Sequence, residues 1–263
     1  MNQRTTIAAL LCAITLTACD AFKKNTVQEI SGPVPAGARI LFFNFGVNAP
    51  AVNFYADDRK MTAIASGTGQ ESTLGVAYGT VGAGGFYTAI PAGQYTLAGK
   101  IAAATDKNLA ISNLPAALED GKAYSFYQSG IYNTTTKTVD AFLVEDPVVP
   151  PPDFTVAHVR FVNAISNANP LTLYGTIRSL VDTTKTDTVT VNAAVAYKSA
   201  GAFTALRAGI YNLLLRYPDS TTNKTTLNAV TFLGGRVYTV GARGDITVAT
   251  GATADTLQST ANR

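Results

Sequence analysis

Across residues 211–217 apolar side chains fall at every second position. Tyr211, Leu213, Leu215 and Tyr217 share one face of an extended segment, Asn212 and Arg216 take the other, and Leu214 breaks the pattern. Successive side chains of a strand point to opposite faces, so this alternation predicts a half-buried β-strand. Similar runs recur at 40–45, 52–55, 76–81, 86–90, 95–101, 124–132 and 141–145, each bounded by Gly, Asn, Asp or Pro. Ile90-Pro91-Ala92-Gly93 fits a type I turn, with Pro pre-setting φ at the second position. The best helix candidate, 115–120, is too short to change the class. Short strands alternating with turn residues predict an all-β chain of immunoglobulin-like β-sandwich domains.

The pattern also repeats. Ala38-Arg39-Ile40-Leu41-Phe42-Phe43-Asn44 aligns with Ala157-His158-Val159-Arg160-Phe161-Val162-Asn163. The same offset sets Tyr55 on Tyr174 and Val76-Ala77-Tyr78 on Val195-Ala196-Tyr197. Further on, Ile90-Pro91-Ala92-Gly93-Gln94-Tyr95 matches Leu206-Arg207-Ala208-Gly209-Ile210-Tyr211, and Gly121-Lys122-Ala123-Tyr124 matches Gly235-Arg236-Val237-Tyr238. Ordered blocks of this kind indicate a tandem duplication. The expected domains are 37–146 and 154–250, joined by a proline-rich linker at 147–153 that acts as a semi-rigid polyproline spacer, with a polar C-terminal tail at 251–263.

Residues 1–18 have the makings of a cleaved signal: Arg4, then a mostly apolar run closing in Leu16-Thr17-Ala18-Cys19. This tetrapeptide matches a bacterial lipobox, which makes Cys19 the expected lipidation site and 19–36 a tether. The run is shorter than the ~20 residues needed to cross a bilayer, so a membrane anchor through acyl chains on Cys19 is expected instead of a transmembrane helix. The implied location is the bacterial cell envelope, at the outer membrane or cell surface in preference to the inner membrane. Cys12 leaves with the signal, so no disulfide is expected and each domain rests on its apolar core.

The blocks 38–44, 48–57, 90–95 and 121–125 resemble the bacterial domain of unknown function DUF4397, and the second half resembles it more loosely. The resemblance implies secreted or surface-anchored β-sandwich modules and brings no catalytic or binding residue with it.

Composition narrows the chemistry. With 20 Lys and Arg against 17 Asp and Glu, and no basic cluster, nucleic acid is not an expected partner. The single histidine, His158, removes Ser-His-Asp, Cys-His and multi-histidine metal arrangements. Asp57-Asp58, Glu119-Asp120 and Glu145-Asp146 are the available carboxylate pairs, but strand neighbours diverge and all three lie at turns. There is no Asp-x-Asp-x-Asp calcium loop. Arg243-Gly244-Asp245 spells an integrin-binding tripeptide but reads as a strand end, and Gly82-Ala83-Gly84-Gly85 lacks the helix of a phosphate cradle. No catalytic, cofactor-binding or metal site is therefore expected. The reading is a non-enzymatic structural, adhesive or protein-interaction role with an envelope protein as partner. The alternative is a carbohydrate-binding accessory protein, stacking Tyr78, Tyr87, Tyr127 and Tyr132 on an envelope polysaccharide.

Overall fold

The computed structural model describes residues 37–62, 74–147 and 153–262, and among them there are strands, turns and one short 3₁₀ segment at Gly82–Gly85, with no α-helix. The first half holds β1 (Ala38–Asn44), β2 (Val52–Ala56), β3 (Arg59–Lys60), β4 (Thr80–Val81), β5 (Thr88–Ile90), β6 (Gly93–Ile101), β7 (Ala110–Leu118), β8 (Ala123–Asn133) and β9 (Thr138–Glu145). The second holds β10 (Val156–Asn163), β11 (Leu171–Arg178), β12 (Thr186–Val195), β13 (Ser199–Ala200), β14 (Thr204–Arg207), β15 (Gly209–Arg216), β16 (Thr225–Phe232), β17 (Val237–Arg243) and β18 (Thr256–Ala261).

Each half is a sandwich of two sheets. In the first, one sheet runs β4-β1-β8-β9 with β5 also on β1, and the other runs β3-β2-β6-β7. In the second, the orders are β13-β10-β17-β18 with β14 on β10, and β12-β11-β15-β16. Raising every strand number by nine converts one half into the other. The central pairs β1/β8 and β10/β17 are parallel and all other strand pairs are antiparallel. This is not the immunoglobulin order, in which one sheet runs A-B-E-D and the other C-F-G.

Alternation within the strands builds three apolar layers instead of two. Ile40 and Phe42 of β1 point into the first sandwich beside Phe54, Leu97, Ile111 and Phe126. Val159 and Phe161 of β10 point into the second beside Leu171, Leu213, Tyr211 and Phe232. The intervening residues of the same strands, Leu41, Phe43 and Val162, face the other way and meet Phe45, Tyr127, Phe142 and Ala164 in a cluster shared by both halves. Sheets buried on both faces carry near-continuous apolar runs, and Ile40-Leu41-Phe42-Phe43 is such a run.

Four expectations need correction. The residues 148–152 lie outside the described residues, but the two sandwiches are not held apart by a spacer, since they share an apolar cluster within one compact unit. For the same reason neither rests on its own core alone. Residues 256–261 are not a tail: β18 pairs with β17 along its length, because Leu257 fills a place in the second core while its polar neighbours hydrogen-bond through their backbone. The helix candidate at 115–120 is in large part β7, an edge strand where Pro115 needs no donor on its outer side.

Candidate functional site

Among the described residues, the seam between the sandwiches holds the one ion pair with both partners buried. Arg160 of β10 aligns with Leu41 of β1, so a guanidinium stands in the second half where the first has an apolar side chain. It is 2% exposed and pairs with the carboxylate of Asp146, 4% exposed, which follows β9. Its remaining donors reach the Glu145 carbonyl at 2.8 Å and the Thr239 hydroxyl at 3.1 Å, and its flat face lies 4.8 Å from the centre of the Phe203 ring. Asp146 also accepts from the Tyr87 hydroxyl at 2.7 Å and the Ser125 hydroxyl at 2.8 Å. The Asn262 amide donates to the Tyr87 oxygen at 3.0 Å. A buried ion pair is tolerable only when its spare donors and acceptors are satisfied in this way.

The far end of the seam is built from equivalent positions. Tyr78 lies under Arg243, 4.8 Å from ring centre to guanidinium carbon, while its counterpart Tyr197 meets Ser129, the counterpart of Arg243, at 3.0 Å. Tyr197 also donates to Asp140 at 3.1 Å, and Lys198 pairs with the same carboxylate at 3.0 Å. Phe45 crosses onto Gly241, where a Cβ would stand 2.8 Å from its ring, so the close approach requires glycine. Burial and the Asp146 carboxylate push the Tyr87 phenol well above its ordinary value, and burial does the same for Tyr127 and Tyr197.

The residues singled out in the sequence scatter. Cys19 lies outside the described residues. His158 is half-buried at the start of β10, its backbone bonded to Arg236. Asp57 accepts from the Thr96 backbone at 2.8 Å, Glu119 and Glu145 both bind Lys122 at 3.1 Å, and Asp120 accepts from the Gly37 backbone. Only Asp146 among the paired acids is buried, and it faces Arg160, not a second carboxylate. Asp245 accepts from Asn167 at 2.7 Å and from Thr247, while Arg243 covers Tyr78, so the Arg-Gly-Asp tripeptide is spent on internal contacts. Gly82–Gly85 is a 3₁₀ segment leading straight into extended chain. Tyr127 is fully buried, Tyr132 packs on the first core, and Tyr78 and Tyr87 are half-buried under Arg243 and Arg39. The four rings do not form an exposed row. Among the described residues no group of three or more His, Cys, Asp or Glu is placed to hold a metal ion.

The repeated blocks have a common structural use. The amide of Asn44 donates to the Val76 carbonyl at 2.9 Å, and that of Asn163 to the Val195 carbonyl at 3.0 Å, tying the end of each half's first strand to the stretch that leads into β4 or β13. Tyr124 accepts from the Glu119 backbone and Tyr238 from the Leu233 backbone, both at 3.1 Å. Tyr95 donates to the Pro91 carbonyl at 2.9 Å and Tyr211 to the Arg207 carbonyl at 2.8 Å. Gly121 and Gly235 take φ values of 74° and 76° in the turns before β8 and β17. The family model described as "Domain of unknown function (DUF4397)" matches residues 38–174, just over half of the chain. The chain belongs to the DUF4397 family. No curated protein matches it. The DUF4397 match opens on β1, takes in the whole first sandwich and continues through β10 into β11. Its motif residues Asn44, Tyr95, Gly121 and Tyr124 all serve turns and strand ends. What sequence reading missed was the seam. The available signals were the lone Arg160 in an apolar strand and the unbroken apolar run of β1.

Proposed function

We propose that this protein is a lipid-anchored component of the bacterial cell envelope, acylated on Cys19, that displays two DUF4397-type sandwiches as one non-enzymatic body for a structural, adhesive or protein-interaction role. The observation that carries the reading is the lipobox Leu16-Thr17-Ala18-Cys19, separated by 17 residues from Gly37, where a compact double sandwich begins. Two or three acyl chains hold a protein on its membrane far more firmly than one. The repeat of strand order and of turn hydrogen bonds in both halves supports two copies of one module, and the buried seam supports their working as a unit.

Intact-mass analysis of the chain recovered from bacterial membranes tests the anchor. The expected product begins at Cys19 and carries a diacylglycerol on sulfur, and Cys19→Ser is expected to leave an unmodified chain in the soluble fraction. Recovery of the wild-type chain with a free Cys19 thiol, or with residues 1–18 still attached, would overturn it. For the interaction role, the mature chain immobilised through its C-terminus is expected to retain an envelope protein that competes off with free chain. Retention of nothing that the free chain displaces would contradict that part.

A further inference from the structure

Five large apolar side chains stand out from one end of the second sandwich. Phe154 precedes β10, Leu180 and Val181 form the tip between β11 and β12, Ile210 opens β15, and Leu233 follows β16; they are between 55% and 98% exposed. The backbone brings these places together. Ala208 donates to the Thr155 carbonyl at 3.0 Å, Gly209 pairs with Phe232 across β15 and β16, and Arg207 reaches the Arg178 carbonyl at 2.8 Å at the base of the 179–185 tip. The fold does not demand apolar residues there. The first half carries exposed Gln94 and Glu119 at the positions of Ile210 and Leu233, and its β2–β3 tip is Asp57-Asp58.

This end is also the end at which the anchored chain enters. At the start of β1, Tyr87 and Asp146 contact Asn262 and Arg160 near the start of β10, whereas at the finish of β1 Tyr78 meets Arg243 and Tyr197 meets Ser129. The two strands therefore run the same way across the seam, and Gly37 leaves the molecule at the end where Phe154 and Leu233 stand. At up to ~3.6 Å per residue, the 17 residues between Cys19 and Gly37 reach no farther than ~60 Å, so the anchored chain joins the body at this end within that distance of the bilayer. Arg178 and Arg236 are exposed beside the apolar residues, as suits a surface meeting lipid headgroups, while the neighbouring acids Asp153 and Asp182 are bonded to Thr155 and to Thr184 and Lys185.

We infer that the exposed apolar end formed by Phe154, Leu180, Val181, Ile210 and Leu233 inserts into the lipid surface, so that the second sandwich lies against the membrane and the first, which carries Gln94, Glu119 and Asp57-Asp58 at the equivalent places, is turned outward. This orientation rests on the proposed acylation of Cys19, and the test separates the two. With Cys12 removed and Cys19 acylated, a fluorophore can be placed on Val181→Cys as the sole free thiol, and on Thr135→Cys at the opposite end as control. In vesicles of phosphatidylethanolamine and phosphatidylglycerol containing shallow nitroxide lipids, the Val181 position is expected to be quenched and the Thr135 position spared. Equal quenching of both, with acylation verified by mass, would overturn the orientation and leave the anchor standing. If the mass shows Cys19 unmodified, the anchor fails and flotation of the same chain with these vesicles decides the surface. A loss of about tenfold in flotation on Phe154→Ser/Val181→Ser/Leu233→Ser, with the thermal midpoint kept, would support it, and no flotation of the parent chain would overturn it.

Discussion

Arg160 shows how one residue ties the halves together. Its counterpart Leu41 joins the apolar cluster of the seam, whereas Arg160 must bring a partner with it, and Asp146 is that partner. Removing one member strands the other as an uncompensated buried charge, so Arg160→Leu is expected to cost about 3–5 kcal/mol in urea denaturation. Adding Asp146→Asn should restore most of that loss, because the amide oxygen still accepts from Tyr87 and Ser125. The tyrosines beside this pair set the response to alkali. Tyr87, Tyr127 and Tyr197 hold their protons in the folded state above the ordinary phenol value of ~10, so unfolding above that pH releases protons. Stability from these groups is complete below about pH 10 and is lost as pH rises toward the folded-state values. Denaturation midpoints should therefore stay flat to about pH 9 and then fall, and Tyr87→Phe with Tyr197→Phe should make that fall shallower. None of this was legible in the sequence beyond the oddity of an arginine within Val159–Val162, because a buried charge is recognised by its partner and the partner lies on another strand.

Among the elements, the turns and half-buried strands were the most legible. β15 alternates as read, since its outer face meets solvent, and the motif residues before β6 and β8 sit in the turns their types favour. β7 was misread because Pro115 and the small residues around it mimic a helix start, and a proline at a sheet edge leaves no sequence mark of its own. β18 was missed because a strand with a single fully buried apolar residue, Leu257, has no visible period. The strand-end asparagines offer a test at this scale. Asn44 holds Val76 and also accepts from Gln128 at 2.9 Å, whereas Ala242 occupies the Gln128 position in the second half. Asn44→Ala should cost about 2–3 kcal/mol by leaving the Val76 carbonyl, the Gln128 amide and the Gly46 N–H unmatched, and Asn163→Ala about 1 kcal/mol less, since it strands only the Val195 carbonyl and the Ile165 N–H. Equal costs, read from urea midpoints, would mean that the glutamine contributes nothing.

The described double sandwich is four sheets deep, with apolar layers inside each sandwich and between them. The number of sandwiches is legible in the repeat, whereas their expected separation rests on the proline run, a local feature that carries no information about what the flanking faces bury. The unbroken apolar run of β1 carried that information, since a strand with one face in solvent alternates and a strand between two layers does not. A shared layer couples the halves, so the double sandwich should unfold in one thermal transition, with calorimetric and van't Hoff enthalpies in agreement. The most direct test is to place a protease site within 150–152, cut the folded protein and pass it through a sizing column. Because the seam and not the covalent link holds the halves together, the two fragments are expected to elute as one species at the volume of the uncut chain. Elution as two independent sandwiches would contradict the shared core.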